Sequence, residues 1–531
     1  MTSERSTGNQ TLAEQTPGIA ELIAATAARM PDAPAVVITA DRVPVSYRDL
    51  IRLVDDLADQ LTGAGLAHGD RVGLRAGSNA EFVVALLAAL RANLVVVPLD
   101  PALPPGDQRA RSEAAGARVV LVDGRAPGDD SEPAVPRWPV AVAVSPDAVH
   151  RGFSVQLDSS AAANPSSSSP EGLRVDDAMI MFTGGTTGLP KMVPWTHDNI
   201  VSSVRAIIAG YQLGPQDATV AVMPLYHGHG LVAALLSTLA SGGAVLLPAR
   251  GRFSAQTFWD DIDAVGATWY TAVPTIHQIL LERVATGPAE GASAALRFIR
   301  SCSAPLTPEV ARALEAEFSA PVLCAFGMTE ATHQVASTSI GQEVNPAVLT
   351  GLVGRSTGPE IRIAGPDGQP VAPEVVGEVW LRGRTVVRGY LGDPKITAAN
   401  FTEGWLRTGD LGTLSQAGEL SIRGRIKELI NRGGEKISPE RVEGVLATHP
   451  NIMEVAVFGV PHPMYGEAVA AVIVPRDGVP GAEELIEFCR DRLASFEIPA
   501  TFQVTDELPH TAKGSLDRRA VSQRFSQSAG Q

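Results

Sequence analysis

The residues most suited to chemistry stand in the run Met181-Phe182-Thr183-Gly184-Gly185-Thr186-Thr187-Gly188-Leu189-Pro190-Lys191. Three glycines let successive amide N–H groups turn toward one concavity, Thr183, Thr186 and Thr187 add hydroxyl donors, and Lys191 adds a positive charge. Such a loop is a cradle for a polyphosphate anion. It is not the GxxxxGK[ST] phosphate loop, because Pro190 separates Gly188 from Lys191 and no hydroxyl residue follows the lysine to hold magnesium. Taken alone, a Gly/Thr stretch is more often an ordinary flexible surface turn. Farther on, His227 and His229 stand two apart in Met223-Pro224-Leu225-Tyr226-His227-Gly228-His229-Gly230, but no Cys or carboxylate nearby completes a metal set. The carboxylates of Glu330 and Asp410 close two short segments, Phe326-Gly327-Met328-Thr329-Glu330 and Thr408-Gly409-Asp410.

These residues need elements to hold them. The spacing of apolar residues predicts helices over 19–30 and 47–64 and short strands over 35–38, 71–74, 95–99, 119–122 and 178–182. Strands alternating with helices point to an α/β architecture of helix-covered sheets. The cradle follows the strand 178–182 and precedes a helical stretch from Asn199; an apolar helix is expected from Leu231. Residues 267–275 suit a buried strand leading into a helix that contains His277. The most apolar stretch, 82–99, is broken by Arg91 and Asn93, so it reads as a buried helix and a strand, with no stable membrane insertion. Residues 161–171, rich in Ser, Pro and Ala, are expected to be a mobile loop, and residues 1–17 to be disordered.

At 531 residues and 45% hydrophobic content, the chain exceeds one core and calls for at least two domains. A formal charge of -15 argues against nucleic acid or an anionic membrane as the main partner, so an anionic substrate has to be met by local donors. Cys302, Cys324 and Cys489 are too few and too scattered for a disulfide framework, which suits a reducing, cytoplasmic setting. The first fifteen residues lack a signal-peptide core, and Ser528-Ala529-Gly530-Gln531 is not a peroxisomal address.

With Gly424-Arg425-Ile426-Lys427-Glu428 added, these segments stand in the order and spacing of the adenylate-forming superfamily, which the chain resembles over nearly its whole length. The resemblance implies a large N-terminal adenylation domain, residues 1–425, and a small, mobile α+β C-terminal domain, residues 426–531. It also implies ATP, Mg2+ and coenzyme A as cofactors and a small carboxylic acid as substrate. By the same resemblance, Thr183, Gly184, Gly185, Thr186, Thr187, Gly188 and Lys191 hold phosphates. Ser303, Ala304 and Pro305 line one face of adenine, and Phe326 with Gly327 the other. Thr329 binds the α-phosphate and Glu330 holds magnesium. Asp410, supported by Arg425, accepts from the ribose hydroxyls. His227 stands at an aromatic gate beside the reacting carboxylate, Lys427 at the hinge, and Gly433 and Gly434 along the pantetheine arm, although paired glycines also suit a plain hairpin turn.

Two departures stand out. Relatives often have serine at Gly185, and the usual Thr-x-x-Gly-Lys near the end is here Thr511-Ala512-Lys513-Gly514-Ser515, with serine in place of the adenylation lysine. Lys513 stands two residues early, roughly 6–7 Å away on the same side of an extended segment, and a lysine stem can span part of that gap. The segments around Pro224–Gly230, 251–255, Arg300-Ser301-Cys302-Ser303-Ala304, 328–333 and 428–439 look most like oxalate–CoA ligases, and also like bacterial fatty-acyl-CoA synthetases. Burying a second carboxylate requires donors, which His229, Ser303 and His333 could supply; a fatty chain requires an apolar tunnel. Three functions stay open at this point: a CoA ligase, a loader of carrier-protein thiols, and a non-catalytic nucleotide binder.

Overall fold

The computed structural model describes residues 17–124, 134–145, 152–165, 169–183, 190–286, 296–341, 351–476, 478–510 and 516–526. Helix and strand largely alternate over 19–122, whereas strand follows strand over 352–382 and again over 401–437. Helix Tyr47–Gly63 buries Leu50, Leu53, Val54, Leu57, Ala58 and Leu61, the i, i+3, i+4 stripe of a helix lying on a core, and its start is capped by the Ser46 hydroxyl, which accepts from Asp49 N–H. Helix Ala80–Arg91 is buried from Phe82 to Leu90 and leads into strand Val95–Pro98, so its all-round apolarity serves the protein core. Among the described residues no helix is long and apolar enough to cross a membrane.

One seven-stranded sheet is parallel at its centre and carries Asp177–Phe182 next to its edge strand Met192–Thr196, so the cradle emerges from a sheet end. A larger, ten-stranded sheet begins with parallel Trp269–Ala272, Phe298–Ser301 and Val322–Met328, then turns antiparallel through His333–Ser337 and Leu352–Ser356 to Glu419–Arg425 and Trp405–Leu414. Two pairings in it bear on the site. Met328 faces His333, and a Cβ on Gly327 would lie 1.9 Å from the His333 carbonyl oxygen, so only glycine permits this approach. Asp410 faces Arg425 across the Trp405–Leu414 and Glu419–Arg425 pair, which brings opposite charges together.

After the short turn Ile426–Glu428 comes a small α+β unit with its own core, built on Ile430–Arg432, Glu435–Ile437, Ile452–His462, Gly466–Pro475 and Thr501–Val504. Arg518, on the helix Arg518–Phe525, reaches Glu428 at 3.0 Å and Glu440 at 3.4 Å and also pairs with Glu443, tying that helix back to the turn.

One expectation is corrected, that of the apolar helix. The apolar helix expected from Leu231 begins instead as a π-helix over His229–Leu236 and becomes α-helical only at Ser237–Ser241. Gly230 packs so closely that a Cβ would lie 2.3 Å from the Met223 carbonyl, and the wider turn accommodates this contact. In the segment 161–171, Ala161 and Asn164 are anchored: Trp138 Nε1 donates to the Ala161 carbonyl at 2.7 Å, and Arg118 and Asn164 exchange bonds of 2.8 and 3.1 Å. Polar groups on neighbouring strands need those acceptors. Residues 166–168 and 1–16 lie outside the described residues.

Candidate active site

At the cradle, Thr183 N–H donates to the Lys191 carbonyl at 3.2 Å and so clamps the two ends of the loop; Gly184, Gly185, Thr186, Thr187 and Gly188 lie outside the described residues. Lys191 Nζ is 3.4 Å from both Tyr390 Oη and Asn400 Oδ1 and sits 4.4 Å above the Tyr390 ring. Burial lowers its pKa, the Glu330 carboxylate opposes that shift, and Lys427 adds to it. Tyr390 donates to Glu330 Oε1 at 2.9 Å, while Glu330 Oε2 has no hydrogen-bond partner among the described residues. The Thr329–Glu330 backbone is held from two sides, by Trp195 Nε1 on the Thr329 carbonyl at 2.8 Å and by Val387 N–H on the Glu330 carbonyl at 2.9 Å.

Asp410 is almost wholly buried. Its Oδ1 takes a 2.9 Å contact from Arg425 Nε, and its Oδ2 is buried without a hydrogen-bond partner among the described residues. Burial raises its pKa against the opposing pull of Arg425. An orphaned carboxylate oxygen in such a place calls for an external donor. Ser301 is in register with Cys324, which sets the run Ser303, Ala304 and Pro305 at the same sheet end as Phe326 and Gly327. Phe326 is half-buried against the antiparallel part of the sheet.

Beyond this lies a buried polar cluster. His229 Nδ1 is 3.1 Å from Ser303 Oγ and its Nε2 is 2.6 Å from Thr271 Oγ1; the His229 and His333 rings stack with centroids 5.3 Å apart. Arg300 lies behind both rings and is fully buried. Burial, with Arg300 second, holds the pKa of each histidine well below the ordinary imidazole value. His227 stands apart from this cluster, half-buried, with Nε2 4.0 Å from Asp100 Oδ2 and its ring edge-on to Tyr226. Among the described residues no group of three His, Cys, Asp or Glu could hold a metal ion.

The structure therefore brings Lys191, Glu330 and Tyr390 together, and His229, Ser303 and His333 together. Lys427 is exposed in the turn Ile426–Glu428. Gly433 and Gly434, with φ of 61° and 99°, form the two-residue turn between Arg432 and Glu435, a geometry that demands left-handed backbone whatever lies nearby. Thr511, Lys513 and Ser515 lie outside the described residues, although His510 and Leu516 on either side pair with each other. Cys302, Cys324 and Cys489 are free and buried.

Sequence reasoning gave no role to Arg300, Thr271 or Tyr390. For Arg300 a signal existed: an arginine inside the apolar strand Phe298–Ser301 is rarely buried without a purpose. Tyr390, sixty residues from Glu330, left none.

Residues 23–391 match the AMP-binding enzyme family and residues 441–515 the AMP-binding enzyme C-terminal domain. Oxalate–CoA ligase of Arabidopsis thaliana is 41% identical over 505 residues, covering 94% of this chain and 97% of that protein. Sulfoacetate–CoA ligase of Cupriavidus necator is 35% identical, covering 94% and 96%. The ATP-bound crystal structure of MatB from Rhodopseudomonas palustris superposes with a TM-score of 0.82 at 26% identity, covering 96% of this chain and 99% of that one. The chain belongs to the AMP-binding enzyme family, with the large and small domains of adenylate-forming enzymes. Within that family it is an acid–CoA ligase of the AMP-forming kind.

Proposed function

We propose that the protein activates a small acid with a second anionic group, oxalate first among them, and transfers it to coenzyme A. The observation that carries this reading is the convergence of His229, Ser303 and His333 in one polar cluster, with Arg300 behind it. Such a wall suits a carboxylate and would leave buried donors unsatisfied against a fatty chain. Relatives that act on oxalate and on sulfoacetate, both small acids with two anionic groups, point the same way.

In the first step a carboxylate oxygen of the acid attacks the α-phosphorus of ATP, the bond to the β,γ-phosphates breaks, and pyrophosphate leaves. In the second, the coenzyme A thiol loses its proton, attacks the acyl carbon, and AMP departs with the electron pair of the anhydride bond. Asp410 suits the ribose, since its buried Oδ2 lacks a donor among the described residues and two vicinal hydroxyls supply one; Arg425 opposes the rise in pKa that burial gives that carboxylate. Thr183 to Gly188, Thr329 and Lys191 would bind phosphates, and Ser303, Ala304, Pro305, Phe326 and Gly327 would enclose adenine. Glu330 fits a magnesium ion, because Tyr390 fixes Oε1 and leaves Oε2 available. When bound, that ion offsets charge on the phosphate oxygens. His227 would flank the reacting carboxylate.

The domain boundary in this reading lies between residues 425 and 426, with Lys427 as the hinge about which the small domain turns between the two steps. Lys513 takes the part of the adenylation lysine that Ser515 cannot play, and Gly433 and Gly434 line the pantetheine path. Three unpaired, buried cysteines agree with a cytoplasmic setting.

The test is pyrophosphate release from the full chain with Mg·ATP and coenzyme A, comparing oxalate with a ladder of fatty acids. Turnover confined to oxalate and similar small diacids is expected. Turnover confined to fatty acids would keep the ligase and overturn the polar-pocket assignment; ATP binding with no turnover on any acid would overturn catalysis itself.

A further inference from the structure

We infer that Arg300 is a positioning residue that locks His229 and His333 as neutral Nδ1–H tautomers, leaving His333 Nδ1–H and the Ser303 hydroxyl as donors to the substrate's second anionic group. This inference rests on the pocket assignment just given.

The argument begins with the guanidinium. It carries five N–H donors and no acceptor. Arg300 makes five hydrogen bonds: Nε to Tyr211 Oη at 2.9 Å, Nη1 to Thr271 Oγ1 at 3.0 Å and His229 Nε2 at 3.1 Å, and Nη2 to Gln334 Oε1 at 2.9 Å and His333 Nε2 at 3.2 Å. Every donor is used, so the group can neither rotate nor reach a ligand itself. Because the arginine can only donate, it favours lone pairs on both Nε2 atoms, the Thr271 hydroxyl 2.6 Å from His229 Nε2 donates to that same nitrogen, and the single proton of each neutral ring then sits on Nδ1. Free neutral histidine in water prefers the opposite tautomer, so the preference here is imposed. Protonating either ring would set an N–H against an N–H beside a buried cation. Burial and Arg300 together hold both rings neutral.

The consequence propagates. His229 Nδ1–H donates to Ser303 Oγ at 3.1 Å, which occupies a lone pair of that oxygen and leaves the hydroxyl hydrogen to be given elsewhere. His333 Nδ1 has no hydrogen-bond partner among the described residues. Ser303 and His333 both take left-handed backbone, φ 75° and 81°, a conformation non-glycine residues adopt at a cost and keep where position matters. These five hydrogen-bond partners of Arg300 are neutral and among the described residues no carboxylate touches it, so its charge adds an attractive potential for an anion in the pocket. The wall therefore consists of donors with a cation behind them, complementary to a carboxylate or sulfonate, whose oxygens only accept.

The experiment is 15N NMR of the full-length protein labelled at histidine imidazoles, near neutral pH, with the signals assigned by their loss in His229→Gln and His333→Gln. Nδ1–H tautomers are expected for both rings in the native protein, and an Nε2–H signal for at least one ring in Arg300→Met. Arg300→Met should also lose about 10²-fold in kcat/KM for oxalate but about threefold or less for a monocarboxylate. Arg300→Lys keeps the charge but cannot bridge two rings, so it should follow Arg300→Met in the spectrum. An Nε2–H tautomer of either ring in the native protein overturns the lock, and that spectrum, assigned through the two histidine variants, decides even if the Arg300 variants fail to fold. Nδ1–H tautomers in a protein that does not turn over oxalate would overturn the substrate assignment and leave the lock intact.

Discussion

Asp410 and Arg300 are both buried charges on the same sheet, yet they are treated in opposite ways. Asp410 has a partner of opposite charge in Arg425 and one oxygen left over. Among the described residues Arg300 has no charged partner, but its N–H groups are met by neutral groups. In the first case electrostatics is settled and a hydrogen bond is missing, which fits a neutral polyol. In the second hydrogen bonding is settled and a counter-charge is missing, which fits an anion. What a buried charge lacks thus describes the ligand it faces.

If the two ends work separately, damage at the nucleotide end should affect every acid alike. Glu330→Gln keeps the Tyr390 hydrogen bond but removes the charge, and should slow adenylate formation by about 10²–10³-fold with any acid, read as pyrophosphate exchange. An acid-dependent loss would merge the two regions into one. Lys513→Ala should show a similar loss in that half-reaction and much less in thioester formation from added acyl-adenylate, with Ser515→Ala nearly silent; equal small effects would remove the role given to Lys513.

Damage at the acyl end should be selective. His333→Leu deletes one donor to an anion, so kcat/KM for oxalate should fall by about 10–10²-fold while ATP binding holds. A uniform loss across acids would make His333 a structural residue of the strand His333–Ser337.

The acyl end also predicts how stability responds to acid. His229, His277 and His333 are each held neutral, chiefly by burial, with His277 lowered to about 3. A folded-state pKa below the unfolded value contributes stability that is present above the unfolded pKa. That contribution is lost as pH falls from the unfolded pKa toward the folded one. From pH 7 to 5 His277 should cost about 2 kcal/mol of unfolding free energy, and His229 and His333 act in the same direction. The urea midpoint should drop over that window, and His277→Gln should flatten the slope. An unchanged slope would place the acid sensitivity elsewhere.

The two ends differed as sharply in how well they could be read from sequence. The proposed nucleotide end consists of contiguous segments, and Asp410 and Arg425 are strand neighbours across a short hairpin, so short motifs were enough to propose it. The acyl end draws His229, Thr271, Arg300, Ser303 and His333 from separate elements, and only parallel pairing of Trp269–Ala272 with Phe298–Ser301 sets Thr271 opposite Arg300. Residue types named His229, Ser303 and His333 as donors; convergence, and the arginine that organises them, needed the tertiary structure. The π-helix was likewise hidden, because a contact between Gly230 and the Met223 carbonyl is not a local pattern.

The smallest effect concerns a place where geometry offers two explanations for the same residues. Gly433 and Gly434 are demanded by their turn, with φ of 61° and 99°, and the same residues would line the coenzyme A path. Asparagine tolerates the left-handed region, so Gly433→Asn should keep the hairpin at a cost of a few tenths of a kcal/mol to about 1 kcal/mol. Its Cβ would meet Tyr465 Cδ1 at 3.3 Å, and that exposed ring has room to yield. If the glycine serves only the turn, both half-reactions should be unchanged. If the pantetheine arm runs against this backbone, KM for coenzyme A should rise while pyrophosphate exchange stays constant, which separates a demand of the fold from a demand of the substrate at a single position.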